Sequence, residues 1–276
     1  MKFVVLALFL ILAMAEPNET VKTILKPFQN EYLHQFVSMI IGENCYNTFV
    51  NEGDLLDKEC LKITLSKGLG YGIVVASAIL KMPQIIKILS SKTVTGLNVM
   101  SFYLECFSFL PSVVYNYINN YPFSTYGESV IILIQNIFLV FLFWKFASKK
   151  SKVSIMSKLC FLLGLPFFGY FLMNIPKEYQ YMMPIMGTVA AVAARVPQII
   201  TNHKQHHTGQ LSLITWLLTL AGNVARIFTI LTELDDTIMV ICTISSTVCN
   251  VILVLQILIY WKNTNKVTKK SHKKSQ

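Results

Sequence analysis

Charged residues are scarce in this chain. They make up 14% of its 276 residues, whereas an ordinary soluble domain has about 25%. Hydrophobic residues make up 54%, which excludes a disordered chain and makes a membrane protein the expected class. The sequence also lacks a Gly-rich phosphate loop, a catalytic triad and paired carboxylates. We therefore expect a protein that is not an enzyme and that has no cofactor.

Acidic residues are fewer than basic ones. The chain has 14 Asp plus Glu against 24 Lys plus Arg, for a net charge of +10. Such a balance alone is compatible with nucleic-acid binding. Here, however, the lysines form short runs beside apolar stretches, which is typical of cytosolic loops in membrane proteins. We therefore predict contact with membrane lipid and no nucleic-acid partner.

Cysteine is also limited, at six residues, and its spacing matches no metal site. Cys45 and Cys60 lie outside the apolar stretches, so an oxidising lumen would allow them to pair; the alternative is two free thiols. His203, His206 and His207 share one loop without an acid or a cysteine. We expect a solvated loop there and predict no metal.

The N-terminus resembles a secretory signal. Residues 1–15 combine Lys2, an apolar run and a small-residue cleavage site, so cleavage is the first interpretation and an uncleaved anchor helix the alternative. Residues 16–66 are mixed and polar, which indicates a lumenal segment. Asn18 opens a glycosylation sequon that is usable only on the lumenal side.

Seven apolar segments follow, each about as long as a helix that crosses a bilayer. Because backbone groups in lipid must be satisfied internally, we predict an all-α membrane protein with seven transmembrane helices. The predicted spans are 68–88, 97–118, 127–146, 155–175, 181–202, 211–231 and 238–261.

The loops between the spans alternate between basic and non-basic. The positive-inside rule therefore places the N-terminus in the lumen and the C-terminus in the cytosol. The signal sequence independently predicts the same side for the N-terminus.

The first three spans and the last three contain related sequence. Lys81-Met82-Pro83-Gln84-Ile85-Ile86 returns as Arg195-Val196-Pro197-Gln198-Ile199-Ile200, 114 residues later, and Asn136 matches Asn250. Two three-helix units joined by one helix have the same orientation in the membrane, an arrangement that transporters use. We predict parallel repeats at 67–146 and 181–262, a basic loop and linker helix at 147–180, and a basic tail at 263–276.

The paired Pro-Gln motifs resemble the PQ-loop family, relatives of the SWEET sugar transporters. Within it, the chain is similar to the mannose-P-dolichol utilization defect branch. This closer resemblance rests on four strings, which run from Leu65 to Val74, Asn119 to Ser124, His207 to Ser212 and Ala225 to Thr229. The signal-like N-terminus is a departure from that branch.

The resemblance implies a multi-pass endoplasmic reticulum protein. It implies a role in the use of dolichol-phosphate mannose and dolichol-phosphate glucose as lumenal donors for glycosylation and glycolipid anchors. Flipping of the lipid-linked sugar, its presentation to lumenal glycosyltransferases, and scaffolding of those enzymes all stay open. The alternative is a carrier of a free sugar or amino acid, by analogy with other PQ-loop proteins.

Proline inside a helix removes a hydrogen bond and frees the carbonyl four residues back. We expect kinks at Pro83 and Pro197, with Gln84 and Gln198 donating to the freed groups. Symmetric hinges are the functional interpretation, and static kinks are the alternative.

Lys81 and Arg195 occupy equivalent places in the two repeats, within apolar helices. We hypothesise that they contact the phosphate of a polyprenyl-phosphate sugar from opposite sides. The alternative is snorkelling toward the headgroups.

Glu105 is the only acid in the middle of a span, and Arg226 is the only base in the sixth. They pair either with each other or with Lys81 and Arg195, as a structural ion pair or as a gate. Asn136 and Asn250 are expected to bond between helices, or to contact a substrate hydroxyl.

The C-terminal Lys273 and Lys274 match a dilysine retrieval signal, which predicts contact with the coat machinery. A basic tail that binds anionic lipid is the alternative.

Overall fold

The structure is a computed structural model that describes residues 31–94, 97–147, 153–208, 211 and 213–264. These residues form helices and no strand. The helices are α1 (Glu31–Ile41), α2 (Glu43–Tyr46), α3 (Lys58–Leu80), α4 (Met82–Ser91), α5 (Val99–Ile118), α6 (Phe123–Phe146), α7 (Ile155–Met173), α8 (Met182–Gln205), α9 (Leu213–Glu233) and α10 (Thr237–Ile259).

Six helical stretches among the described residues are long and apolar enough to cross a membrane. They are Lys58–Ser91, which contains α3 and α4, together with α6, α7, the stretch Lys177–Gln205 that contains α8, α9 and α10. The chain is therefore an all-helical, multi-pass membrane protein, as predicted. Helix α5 has 20 residues but is less apolar, because Glu105 and several Tyr and Ser residues interrupt it. The role of α5 as a seventh span stays a prediction, and so does the arrangement of two three-helix repeats joined by one linker helix.

The helix bounds agree with the predicted spans to within a few residues, with one exception. The first span begins ten residues earlier than predicted, at Lys58, and the helix breaks at Lys81. This break divides α3 from α4.

The described residues up to Leu69 form one compact unit, and the described residues from Gly70 onward form another. In the N-terminal unit, a disulfide bond joins Cys45 and Cys60, whose Cα atoms are 5.2 Å apart. Tyr46 and Val50 form its buried core. The predicted signal at residues 1–15 and the sequon at Asn18 lie outside the described residues.

In the second unit, we call α4 with the part of α3 from Gly70 onward, α5 and α6 the first triplet, and α8, α9 and α10 the second. The two triplets have the same packing order. Helix α6 packs on both α4 and α5, and α10 packs on both α8 and α9, so the third helix of each triplet lies between the other two. Helix α7, which lies between the triplets in the sequence, packs on α5, where the rings of Phe161 and Tyr103 stack at 4.5 Å. The triplets meet where α8 contacts α5 and where α9 contacts α6.

A glycine allows a close approach between α3 and α6. A Cβ atom at Gly70 in α3 would lie 2.7 Å from the main-chain oxygen of Ser124 in α6. Small residues at such points let membrane helices approach closely.

Candidate functional site

The Pro83 motif lies at the helix break. Pro83 is in the first turn of α4, where a missing N–H costs little, and Lys81 is the residue between the two helices. The side chain that bonds the end of α3 comes from another helix: Nε2 of Gln135 donates to the Ala78 carbonyl at 2.6 Å. The carbonyl that Pro83 frees is that of Ile79, four residues back, so this bond does not test the predicted role of Gln84.

The Pro197 motif differs, because Pro197 lies inside the continuous helix α8. Gln198 donates to the side chain of Asn202 at 2.7 Å and not to the Ala193 carbonyl, so that prediction is wrong. Asn202 in turn donates to Gln256, whose Nε2 donates to the Ile199 carbonyl at 2.9 Å. The two proline sites are not equivalent in this structure, and hinge motion stays a prediction for both.

Lys81, the cation of the first repeat, forms an ion pair with Glu105. Nζ of Lys81 lies 2.7 Å from Oε2 of Glu105, in an ion pair whose side chains are 18% and 38% exposed. Of the alternatives for Glu105, pairing with Lys81 is thus confirmed. Asn136, on α6 of the same triplet, is fully buried, and neither of its amide atoms has a hydrogen-bond partner among the described residues.

The cation of the second repeat has no acid. Nε of Arg195 donates to Oδ1 of Asn250 at 2.8 Å, and Nη1 donates to the Ala191 carbonyl at 2.8 Å. Within the described part of the chain, no carboxylate forms an ion pair with Arg195. At the repeat offset of 114 residues, Thr219 stands in the place of Glu105. The equivalent cations therefore have different electrostatic surroundings.

Arg195 lines a cavity of about 290 Å³ in the second unit. Its wall is formed by α5 of the first triplet and by all three helices of the second. The polar groups on the wall are those of Ser108, Ser112, Thr188, Arg195, Asn223, Thr243 and Ser246. A Cβ atom at Gly187, also on the wall, would meet no atom within 4 Å.

One sequence interpretation changes at this cavity. Lys81 does not line it, so the structure does not bring Lys81 and Arg195 to opposite sides of one ligand. Asn223 does line it, although the sequence analysis assigned it no role and the equivalent residue of the first repeat is Phe109. The sequence did contain a signal for Asn223. It lies three residues before Arg226, and both arginines of the chain lie in apolar helices.

Arg226 connects the two triplets. Nη2 lies 2.7 Å from Oε1 of Glu128, and Nη1 donates to the carbonyls of Thr125 and Ser124 at 2.7 and 3.2 Å. The predicted alternative of an Arg226–Glu105 pair is wrong. Because Glu128 lies in the first turns of α6, this ion pair ties α9 to that end of α6.

Asp236 makes a second connection at the same end of the bundle. The hydroxyls of Tyr115 and Tyr121 donate to its Oδ2 at 2.6 and 2.8 Å, and its Oδ1 caps α10 by accepting from the amides of Ile238 and Met239. Burial raises the pKa of Asp236, but these four hydrogen bonds lower it by more, so the net pKa is below its ordinary value. Only the helix cap was readable from sequence, as an Asp before an apolar run.

Burial and the hydrogen bond to Asp236 raise the pKa of Tyr121 to about 12. The phenol therefore stays neutral and able to donate at any physiological pH. We call the loops 119–122 and 234–236, with the residues that they bring together, the Asp236 end of the bundle. The contacts of Asp236 and Arg226 bind the two triplets together there.

Two groups of predicted residues remain, the histidines of the loop 203–207 and the C-terminal lysines. No group of three metal-ligating side chains occurs in the part of the chain that the structure describes. Lys273 and Lys274 lie outside the described residues.

Comparison with known proteins agrees with the repeat. The PQ loop repeat family model matches residues 65–125 and 179–239, two segments that are 114 residues apart. The chain is therefore a membrane protein with two PQ-loop repeats.

The chain is also similar to a human protein, solute carrier family 66 member 3. The two are 24% identical over 189 residues, which cover 68% of this chain and 91% of that protein. No solved structure matches.

Proposed function

We propose that this protein binds the sugar-phosphate head of a dolichol-phosphate donor in the cavity beside Arg195. By moving the donor across the endoplasmic reticulum membrane, or by presenting it there, the protein makes dolichol-phosphate mannose and dolichol-phosphate glucose usable in the lumen. The proposal rests on one observation: Arg195 lines a cavity rich in hydroxyl and amide groups and has no carboxylate partner among the described residues.

The charge of Arg195 is the reason to expect an anionic ligand. An arginine at the centre of a membrane helix costs roughly 2.5–3.5 kcal/mol on insertion scales, so it is retained where it has a partner or a task. Lys81 and Arg226 each have a carboxylate partner, and Arg195 has only neutral oxygen acceptors. A phosphate matches the planar donor pair of a guanidinium.

The rest of the wall suits a sugar. Its hydroxyl and amide groups are of the kind that bond a hexose, and they come from both triplets. The hydroxyls of Ser108, Thr188 and Thr243 donate to main-chain carbonyls of their own helices, so toward a sugar they act as acceptors. A pure scaffold for glycosyltransferases has no need of such convergence, so the cavity favours a protein that handles the donor itself. Contacts with lumenal glycosyltransferases then belong to the presentation form of the proposal.

Endoplasmic reticulum residence, the lumenal N-terminus and retrieval by coat proteins through Lys273 and Lys274 are part of the same proposal. They are supported by loop charges and terminal motifs of the sequence.

The second candidate function is transport of a free sugar or amino acid. The similarity to a protein named as a solute carrier supports it, because the same cavity accommodates a small polar solute. A carboxylate of an amino acid would also complement Arg195.

Reconstitution into liposomes tests the first candidate against the second. Transbilayer movement of a spin-labelled, short-chain dolichol-phosphate mannose analogue is compared with protein-free liposomes, and uptake of free mannose and amino acids is measured in the same vesicles. We expect movement of the lipid donor, reduced at least tenfold by Arg195→Gln. The matched control is Lys204→Gln, an exposed cation near the end of the same helix. Donor movement at the wild-type rate in a folded Arg195→Gln protein would contradict the proposal, and uptake of free solute alone would favour the second candidate.

A further inference from the structure

The first repeat contains a buried amide that the observed structure does not use. Asn136 is 0% exposed, and neither its Nδ2 nor its Oδ1 has a partner among the described residues. We propose that Asn136 is a second partner for Lys81, and that Lys81 alternates between Glu105 and Asn136 as the protein works. The part that this exchange plays in donor movement rests on the proposed function.

An amide left buried without a partner is costly. Each unsatisfied group shifts a folding equilibrium by roughly 5- to 150-fold. Buried polar groups in native proteins are nearly always satisfied, so an amide with both ends free calls for a state in which it has a partner.

The second repeat shows what that partner is. Asn250 is equivalent to Asn136, and its Oδ1 accepts a hydrogen bond from Arg195, the residue equivalent to Lys81, while its Nδ2 has no partner among the described residues. The third helix of the first repeat lies against the same stretch of chain, because Gln135 bonds the Ala78 carbonyl three residues before Lys81. A lysine placed on Asn136 would make the first repeat resemble the second.

The backbone at Lys81 allows such a movement. Lys81 is the residue between α3 and α4, with φ −95° and ψ −7°, and so lies at a break and not inside a continuous helix. Its present partner is the more exposed of the two side chains, since Glu105 is 38% exposed against 18% for Lys81.

A thermal-stability cycle in nanodiscs tests the exchange without any ligand. In the wild-type background, Glu105→Gln removes the carboxylate partner of Lys81, and we expect the apparent Tm to fall by about 3 °C. In an Asn136→Asp background, Lys81 pairs with the new acid, so Glu105→Gln should change the apparent Tm by less than about 1 °C. An equal loss in both backgrounds would show that Lys81 does not reach position 136 and would overturn the proposal.

A second cycle tests the role in movement and does not depend on folding of a buried acid. Asn136→Leu removes the unsatisfied amide, and we expect a higher apparent Tm together with at least a tenfold slower movement of the dolichol-phosphate mannose analogue. Lys81→Met should slow movement of the analogue to the same extent. The double variant, Lys81→Met with Asn136→Leu, should be no slower than either single variant.

Wild-type movement by Asn136→Leu, or additive losses in the double variant, would contradict the role of Lys81 exchange. Absence of movement by the folded wild-type protein would instead count against the proposed function, while the stability cycle would still decide whether Lys81 exchanges partners.

Discussion

Gly187 offers a substitution that should separate stability from function. It lies on the cavity wall within α8, and a Cβ atom there would meet no atom within 4 Å. Replacing a helical glycine by leucine gains about 0.8 kcal/mol of helix propensity. For a chain of this size that corresponds to a rise in Tm of about 2–3 °C. The leucine side chain would at the same time occupy part of the 290 Å³ cavity.

We therefore expect Gly187→Leu to be at least as stable as the wild type and to lose donor movement in liposomes at least tenfold. Gly222→Leu is the matched control, because Gly222 is also helical and open to 4 Å but does not line the cavity. The control should show the same gain in Tm and wild-type movement. Equal movement by both variants would refute the assignment of the cavity as the donor site.

Three further predictions concern stability. Tyr115→Phe combined with Tyr121→Phe should lower the free energy of unfolding by about 3 kcal/mol, because two hydrogen bonds to a carboxylate are lost. The control is Tyr117→Phe, at a 63% exposed tyrosine, which should cost under about 0.5 kcal/mol in the same thermal assay. The pKa of Asp236 is lowered in the fold, so its contribution to stability is complete above its unfolded pKa of about 3.9 and is lost as pH falls through the folded value. The difference in Tm between the wild type and Asp236→Asn should therefore be constant from about pH 8 to 5. A decline of this difference in that range would contradict the hydrogen-bond assignment. Cys45→Ser opens a loop of 15 residues and should destabilise the N-terminal unit by about 3 kcal/mol, seen as faster amide exchange in the segment 31–41; unchanged exchange would exclude this contribution.

The helices were predictable because their signal is strong. Runs of about 20 apolar residues and a motif repeated at 114 residues are typical of an all-helical membrane protein. A helix of that length crosses the bilayer and satisfies its own backbone hydrogen bonds in lipid. The first helix was placed too late because Lys58, Glu59 and Lys62 begin it outside the apolar run. Hydropathy marks where lipid begins and does not mark where a helix begins.

Partner choice among the buried polar residues was not predictable. Repeat symmetry suggested equal roles for Lys81 and Arg195, but Glu105 has no acidic counterpart at Thr219, and that one difference changes both neighbourhoods. Arg226 bonds Glu128 because α9 packs on α6, a contact that spacing along the chain does not reveal. Asn223 was missed for the same reason, since a cavity wall assembled from four helices has no sequence period.

Protection of a native thiol would test ligand binding at Arg195 most directly. Cys242 is a buried thiol on the cavity wall, and Cys160 on α7 is exposed and lies outside the cavity, so one protein carries both the reporter and its control. In nanodiscs, the labelling rate of each thiol by a small methanethiosulfonate reagent is measured with and without citronellyl-phosphate mannose. We predict at least tenfold slower labelling of Cys242, no change at Cys160, and no protection in Arg195→Gln. Equal labelling of Cys242 with and without the donor, or protection that persists in Arg195→Gln, would contradict binding of the donor head beside Arg195.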